Sequence, residues 1–251
     1  MITEPLFLGI FTPYAGILAV CAAVGLYLSY LLNKSRLTHL IDGGIVMILV
    51  SVLGSRLSFG LLNFSYFQDH PLEILQLWLG GMYWPGALLG AVLSIFLVRW
   101  IWKESLGELV DCYLPLLGMV AIGVWLAEWG TGIGYGPQTG AWFGIPVKDI
   151  FGTIEKRWPL PILGALLSAV WTAGVILFPL KRQQPEGTRG LLGAAGLMAV
   201  TAGISFLRVD PAPFLLSLRL DSWLSLLFLA AFCGGWYLLT KDLTDHEQPG
   251  T

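Results

Sequence analysis

The chain has 251 residues, of which 56% are hydrophobic and 12% charged, too apolar for a water-soluble domain and suited to an integral membrane protein. Its formal charge of -2, with no basic tract interleaved with aromatics, excludes nucleic acid as a partner. Three cysteines, Cys21, Cys112 and Cys233, stand in apolar segments without metal-ligand spacing; they read as small buried hydrophobes and support no disulfide framework, metal or other cofactor.

The amino terminus, Met1 to Phe7, has an acidic residue and no lysine or arginine before the first apolar run. It lacks the basic region of a cleaved signal peptide, so the first helix is expected to stay in the protein. Apolar runs of membrane-crossing length follow near 11–32, 40–62, 81–102, 109–129, 159–180, 191–207 and 223–240. They predict an all-α polytopic membrane protein with about seven transmembrane helices in a single domain over 1–251. One side of the membrane receives eight basic residues, Lys34, Arg36, Arg99, Lys103, Lys181, Arg182, Arg189 and Lys241; the other receives five, Lys148, Lys156, Arg157, Arg208 and Arg219. The positive-inside bias then places the amino terminus outside, the carboxyl terminus in the cytoplasm, and 63–80 and 130–158 in outer segments.

In the second span, Asp42 stands near the cytoplasmic end and Arg56 lies about four turns further on. A guanidinium at that depth must snorkel, meet a carboxylate or serve an anionic headgroup. Asn63 to Trp78 then reads as a turn and a short amphipathic helix in the outer interface, with Pro71 in its first turn and Leu72, Ile74, Leu75, Leu77 and Trp78 on its apolar face. His70, just before it, reads as solvated. The fourth span ends at Glu128 and runs into Gly130, Gly132, Gly134 and Gly136, which no ordinary helix would choose. Two readings of Glu128 stand: a site residue beside a cavity wall made of irregular backbone, or a cap at the water interface. Trp78, Trp84, Trp129, Trp142 and Trp158 fall near predicted outer span ends, as an aromatic belt requires. Gly164, Ala165, Ser168 and Ala169, and Gly193 to Gly196, form small-residue faces for internal packing or for a partner helix. The linker Arg182 to Arg189 and the tail from Lys241 to Thr251 are short and polar, without a readable motif.

Several separated stretches carry a family likeness. They are Gly54-Ser-Arg-Leu-Ser-Phe-Gly-Leu-Leu, His70-Pro-Leu-Glu-Ile-Leu, Gly80 to Gly90, Tyr135-Gly-Pro-Gln-Thr139, Arg157-Trp-Pro159, Phe206 to Pro213, and Leu218 to Trp223. In order and spacing they resemble prolipoprotein diacylglyceryl transferase over nearly the whole chain. The resemblance implies seven spans with the amino terminus outside, in the bacterial cytoplasmic membrane. It also implies transfer of a diacylglyceryl group from phosphatidylglycerol to the thiol of a lipobox cysteine on the outer side. Such chemistry needs a route for the thiol proton, polar groups for the departing glycerol phosphate, and a greasy chamber for two acyl chains.

Most of the family's polar groups have no counterpart. Its third-span histidine aligns with Pro85. The arginine, asparagine and carboxylate of its glycine-rich stretch align with Trp125, Glu128 and Ile133. A later histidine, glutamine and glutamate become Trp158, Pro161 and Gly164; an arginine and glutamate of the sixth span become Thr201 and Ser205, and only the later arginine survives, as Arg208. Charged groups inside a membrane cost roughly 2.5–3.5 kcal/mol each on insertion scales, so a site released from catalysis drifts in this direction. The expectation is a degenerate, non-catalytic homologue that holds a phosphatidylglycerol-like phospholipid or packs against membrane-protein partners, with Arg56, Glu128, Tyr135, Arg157 and Arg208 as headgroup-binding residues. Two rivals stand beside it: a divergent active transferase rebuilt from those residues, and an accessory subunit of a respiratory or photosynthetic complex.

Overall fold

The computed structural model describes residues 12–34, 36–77, 80–148, 152–178 and 184–246, with side chains as far as Lys241. Phe11, Trp78, Leu180, Lys181, Arg182, the amino-terminal segment and the last residues of the tail lie outside them. Nine α-helices occur among the described residues: α1 Pro13–Asn33, α2 Leu40–Leu62, α3 Phe64–Asp69, α4 Trp84–Trp102, α5 Leu106–Cys112, α6 Leu114–Thr131, α7 Leu160–Leu177, α8 Thr188–Ser205 and α9 Leu220–His246. Two short antiparallel hairpins complete the fold, β1 Ile145–Lys148 with β2 Ile154–Arg157 and β3 Phe214–Leu215 with β4 Leu218–Arg219. Six helices, α1, α2, α4, α6, α7 and α9, are long and apolar enough to cross a membrane.

The predicted sixth span is α8, which is not among those six. Its surface faces protein, with Gly190, Gly193, Ala194, Ala195, Leu197, Met198, Ala202 and Ile204 all buried. A helix sheathed by neighbours has no need of the hydropathy that lipid contact demands. It still passes from end to end: Gly190 packs on Val110, while Ser205 shares a hydrogen bond with Ser222 at 2.8 Å. Seven helical passes therefore build the bundle.

Small residues set how closely the passes approach. Gly54 of α2 meets Gly86 of α4, and a Cβ on Gly90 would lie 2.5 Å from the Val50 carbonyl, so these two antiparallel helices touch backbone to backbone. A Cβ on Gly25 of α1 would lie 2.9 Å from Cα of Leu116 in α6. The small faces on α7 and α8 are used internally too. Gly164 receives the Trp125 ring and Gly196 the Trp171 ring, whose indole nitrogen donates to the Gly193 carbonyl at 3.1 Å.

The fourth predicted span is two helices, α5 and α6, broken at Tyr113. Pro115 at the start of α6 has no amide hydrogen, and its ring cannot sit against the carbonyl four residues back, so the helix restarts there. The Asp111 carboxylate uses the break to accept from the amides of Gly187 and Gly190 at 2.9 and 2.8 Å, which caps α8. After α2, the expected turn is helix α3, and the expected amphipathic helix is a single 3-10 turn over Pro71–Leu75. Leu72 and Leu75 remain exposed as expected, while Ile74 packs against Gly60. Cys21 and Cys112 are buried, but Cys233 is exposed on α9, whose flank faces away from the bundle.

Candidate functional site

One end of the bundle gathers charge. Glu128 stands in the last turn of α6, where helix carbonyls already carry partial negative charge, so it needs a cation. Arg208, just beyond the end of α8, supplies it. Its Nη1 donates to both Glu128 carboxylate oxygens at 3.0 and 3.2 Å, while Nε and Nη2 grip Asp210 as a fork at 2.9 and 2.8 Å. Arg219, the last residue of β4, donates to the Asp210 carbonyl and sits 3.4 Å from its carboxylate and 4.0 Å from that of Asp221. Asp221 opens α9 and accepts from the Tyr83 hydroxyl at 2.8 Å and the Trp84 indole at 3.1 Å. Three carboxylates and two guanidiniums thus form one continuous network, tying α6, α9 and the start of α4 together at a largely buried position.

Gly134 has φ +77°, a left-handed backbone, and a Cβ there would lie 2.5 Å from Glu128 Oε2. The glycine stretch therefore closes over the carboxylate. The void bordered by Trp129, Gly132, Ile133, Tyr135 and Trp158 is about 10 Å³, room for one water at most. A larger depression of about 450 Å³ lies on the loop face formed by Gln138, Thr139, Gly140, Glu155 and Lys156, away from the charge network.

Four of the five residues singled out in the sequence come together. Tyr135 is buried beneath the Arg157 guanidinium, 4.6 Å from ring centroid to Cζ, and its carbonyl accepts from Val209 at 3.1 Å, which joins this pair to the Arg208 segment. Arg56 is elsewhere. Its guanidinium is wrapped by five backbone carbonyls, those of Glu73, Ile74, Gln76, Gly80 and Gly81, and lies over the rings of Phe59 and Phe67. It is buried rather than snorkelling, and among the described residues it forms no ion pair with a carboxylate: the carbonyls of residues 73–76 and 80–81 supply the dipoles that water would have given. That makes it the staple of the loop and sets it apart from the other four.

Most of the positions that the resemblance sets against the family's polar groups are occupied by packing. Trp125 is buried against Gly164, with a Cβ on the glycine falling 2.5–2.9 Å from its ring atoms, and the pair packs with Leu160, Ala165 and Ile204. Pro85 begins α4, Pro161 begins α7, and Trp158 meets Phe143 edge to face at 5.3 Å. Thr201 turns back to the Leu197 carbonyl at 2.9 Å. Sequence reasoning gave no site role to Asp210, Arg219, Asp221, Tyr83 or Trp84. The available signal was two acids and two arginines, Arg208 among them, within the short and otherwise largely apolar link between two spans.

The electrostatics carry a pH dependence. Burial alone would raise the Asp210 carboxyl, but the hydrogen bonds and charge of Arg208, with help from Arg219, hold it below its ordinary value. A depressed carboxyl stabilises the fold above its unfolded value, and that contribution is lost as pH falls through the folded one. The thermal unfolding midpoint should therefore fall as pH drops below the ordinary aspartate value of about 4, and Asp210→Asn should start lower and vary less with pH there.

Comparison with known proteins follows the same line. The model of the family described as prolipoprotein diacylglyceryl transferase matches residues 9–238. The phosphatidylglycerol–prolipoprotein diacylglyceryl transferase of Thermosynechococcus vestitus is 26% identical over 255 aligned positions, covering 94% of this chain and 92% of that protein. The enzyme of the same name from Nitratidesulfovibrio vulgaris is 30% identical over 206 positions, 79% of this chain and 75% of its own. That of Parasynechococcus marenigrum is 25% identical over 79% of this chain and 76% of its own. With a match spanning all seven helical passes and the charge network between them, this multi-pass membrane protein belongs to the prolipoprotein diacylglyceryl transferase family.

Proposed function

We propose that this chain is a non-catalytic member of its family, a membrane protein that keeps the helical container without the transfer chemistry. The observation that carries the reading is the clasp on Arg208, whose Nε, Nη1 and Nη2 are all engaged by Glu128 and Asp210. The names of the relatives describe transfer from phosphatidylglycerol to a prolipoprotein. To do that, a site must take up the thiol proton and stabilise a departing phosphate. Here the retained arginine is neutralised by internal acids, the Tyr83 hydroxyl is engaged by Asp221, and the Trp125–Gly164 contact fills ground where the family places an arginine and a glutamate. What remains is residence in the bacterial inner membrane, amino terminus outward, with phosphatidylglycerol-like lipid as neighbour. The small-residue faces are consumed inside the bundle, which favours this reading over an accessory subunit docked through them.

Purified protein in phosphatidylglycerol vesicles, incubated with a lipobox peptide, should yield no diacylglyceryl thioether by mass spectrometry. The Thermosynechococcus vestitus relative serves as the positive control. An adduct formed by this chain at a rate comparable to the control would overturn the proposal in favour of a divergent transferase.

A further inference from the structure

The link between α8 and α9 carries a hairpin whose tip is unusual on three counts. From Pro211 to Leu218 no charged residue occurs, although both flanks, Asp210 and Arg219, belong to the charge network. Phe214, Leu215 and Leu216 are 64%, 52% and 80% exposed. The two turn residues are Leu216 and Ser217, both left-handed at φ 48° and 64°. Such a two-residue turn favours Asn-Gly, because side chains at positive φ are strained. A bare leucine at the most strained and most exposed point of a loop serves neither turn formation nor solubility.

The hairpin's level in the bilayer follows from its ties to α9. Arg219 is followed directly by the first residue of that helix. The Leu220 amide donates to the Pro213 carbonyl at 2.9 Å, and the Trp223 indole, one turn into the helix, donates to the Leu215 carbonyl at 2.8 Å. The strands therefore lie beside the first turn of α9, where a loop projecting into water would stand clear of it. The membrane-length stretch of α9 is Leu220–Lys241, 22 residues, and at 1.5 Å per residue it matches a hydrocarbon core of about 30 Å. Its first turn marks the boundary between acyl chains and headgroups, and the hairpin lies at that level. The indole at its base is the side chain that boundary prefers.

We infer that the β3–β4 hairpin is a lipid anchor: Phe214, Leu215 and Leu216 insert among the headgroups and upper acyl chains of the leaflet beside α9. The burial of these side chains in lipid offsets the strain of the turn. Because Asp210 and Arg219 form the base, the anchor also fixes the segment that carries Arg208.

The test uses the full chain in lipid nanodiscs, open to solvent on both faces. In a Cys233→Ser background, whose other two cysteines are buried, Leu216→Cys is labelled with a polarity-sensitive fluorophore. Gly140→Cys, at an exposed position with nothing within 4 Å, is the reference. The label at 216 should emit at shorter wavelength than the reference, lose most of its intensity to a nitroxide carried on lipid, and resist aqueous iodide; the reference should behave oppositely. Iodide quenching at 216 equal to that at 140 would sink the anchor. So would protection from both quenchers, which would place the tip against protein. Phe214→Cys, labelled in the same way, gives a second reading should the turn variant fail to assemble.

Discussion

Arg208→Ala should destabilise the protein by about 3–5 kcal/mol, the range for breaking a buried ion pair, and lower its unfolding midpoint in detergent on the order of 10 °C. The cost arises from what is left behind. Glu128 would lose the guanidinium that donates to both of its oxygens and Asp210 both of its fork bonds, at a largely buried position. The mechanism makes a second, discriminating forecast. Arg208→Met combined with Glu128→Gln and Asp210→Asn removes the stranded charges together with their partner, and should recover much of the lost stability, since whole buried ion clusters are often replaceable at little cost. If the triple variant is no more stable than Arg208→Ala, the network is not what holds this end of the bundle together. Thermal unfolding followed by tryptophan fluorescence reads both.

Trp125→Ala is expected to cost about 3–5 kcal/mol, as for other buried aromatic deletions, because the ring is the filler between α6 and α7. Gly164 has no side chain to expand into the hole, and Leu160, Ala165 and Ile204 line the rest of it. The complementary change, Trp125→Arg with Gly164→Glu, puts in the residue types that the resemblance implies for those positions. It should still yield no thioether product, because Arg208 would remain clasped by its acids and Pro85 and Trp158 would still offer no proton acceptor. Recovery of lipidation in that double variant would mean that loss of activity rests on two substitutions alone, and the closed network around Arg208 would cease to be an explanation.

The span pattern was legible because hydropathy is a property of each residue and survives without knowledge of neighbours. The predicted 40–62 coincides with α2, and 81–102, 159–180 and 223–240 each overlap a helix closely. Deviations arose where a neighbour decided. Pro115 split the fourth span, protein contact relaxed the hydropathy of α8, and the glycine-rich segment 130–158 contains the β1–β2 hairpin, whose strands read as a loop without their partners. The site divides in the same manner. Glu128 was picked out as an ionisable group at a span end and Arg208 through the family resemblance, but they are 80 positions apart, and nothing local says that they meet or that Asp210 completes the clasp. The contacts of Arg56 were hidden for a plainer reason. Its partners are backbone carbonyls, which every residue possesses and no sequence can advertise.

The sequence by itself determined that this chain lives in a membrane, where its helices run and which family it resembles. All of these follow from residue identity and order. Only the tertiary structure decided that the surviving charges neutralise one another, that Trp125 and Gly164 fill one another's space, and that the glycine stretch closes over a carboxylate for which the sequence left a cavity wall and an interface cap both open. Pairing and volume are properties of the space between chain segments, and that space is set by helix packing and loop closure across separations of tens of residues.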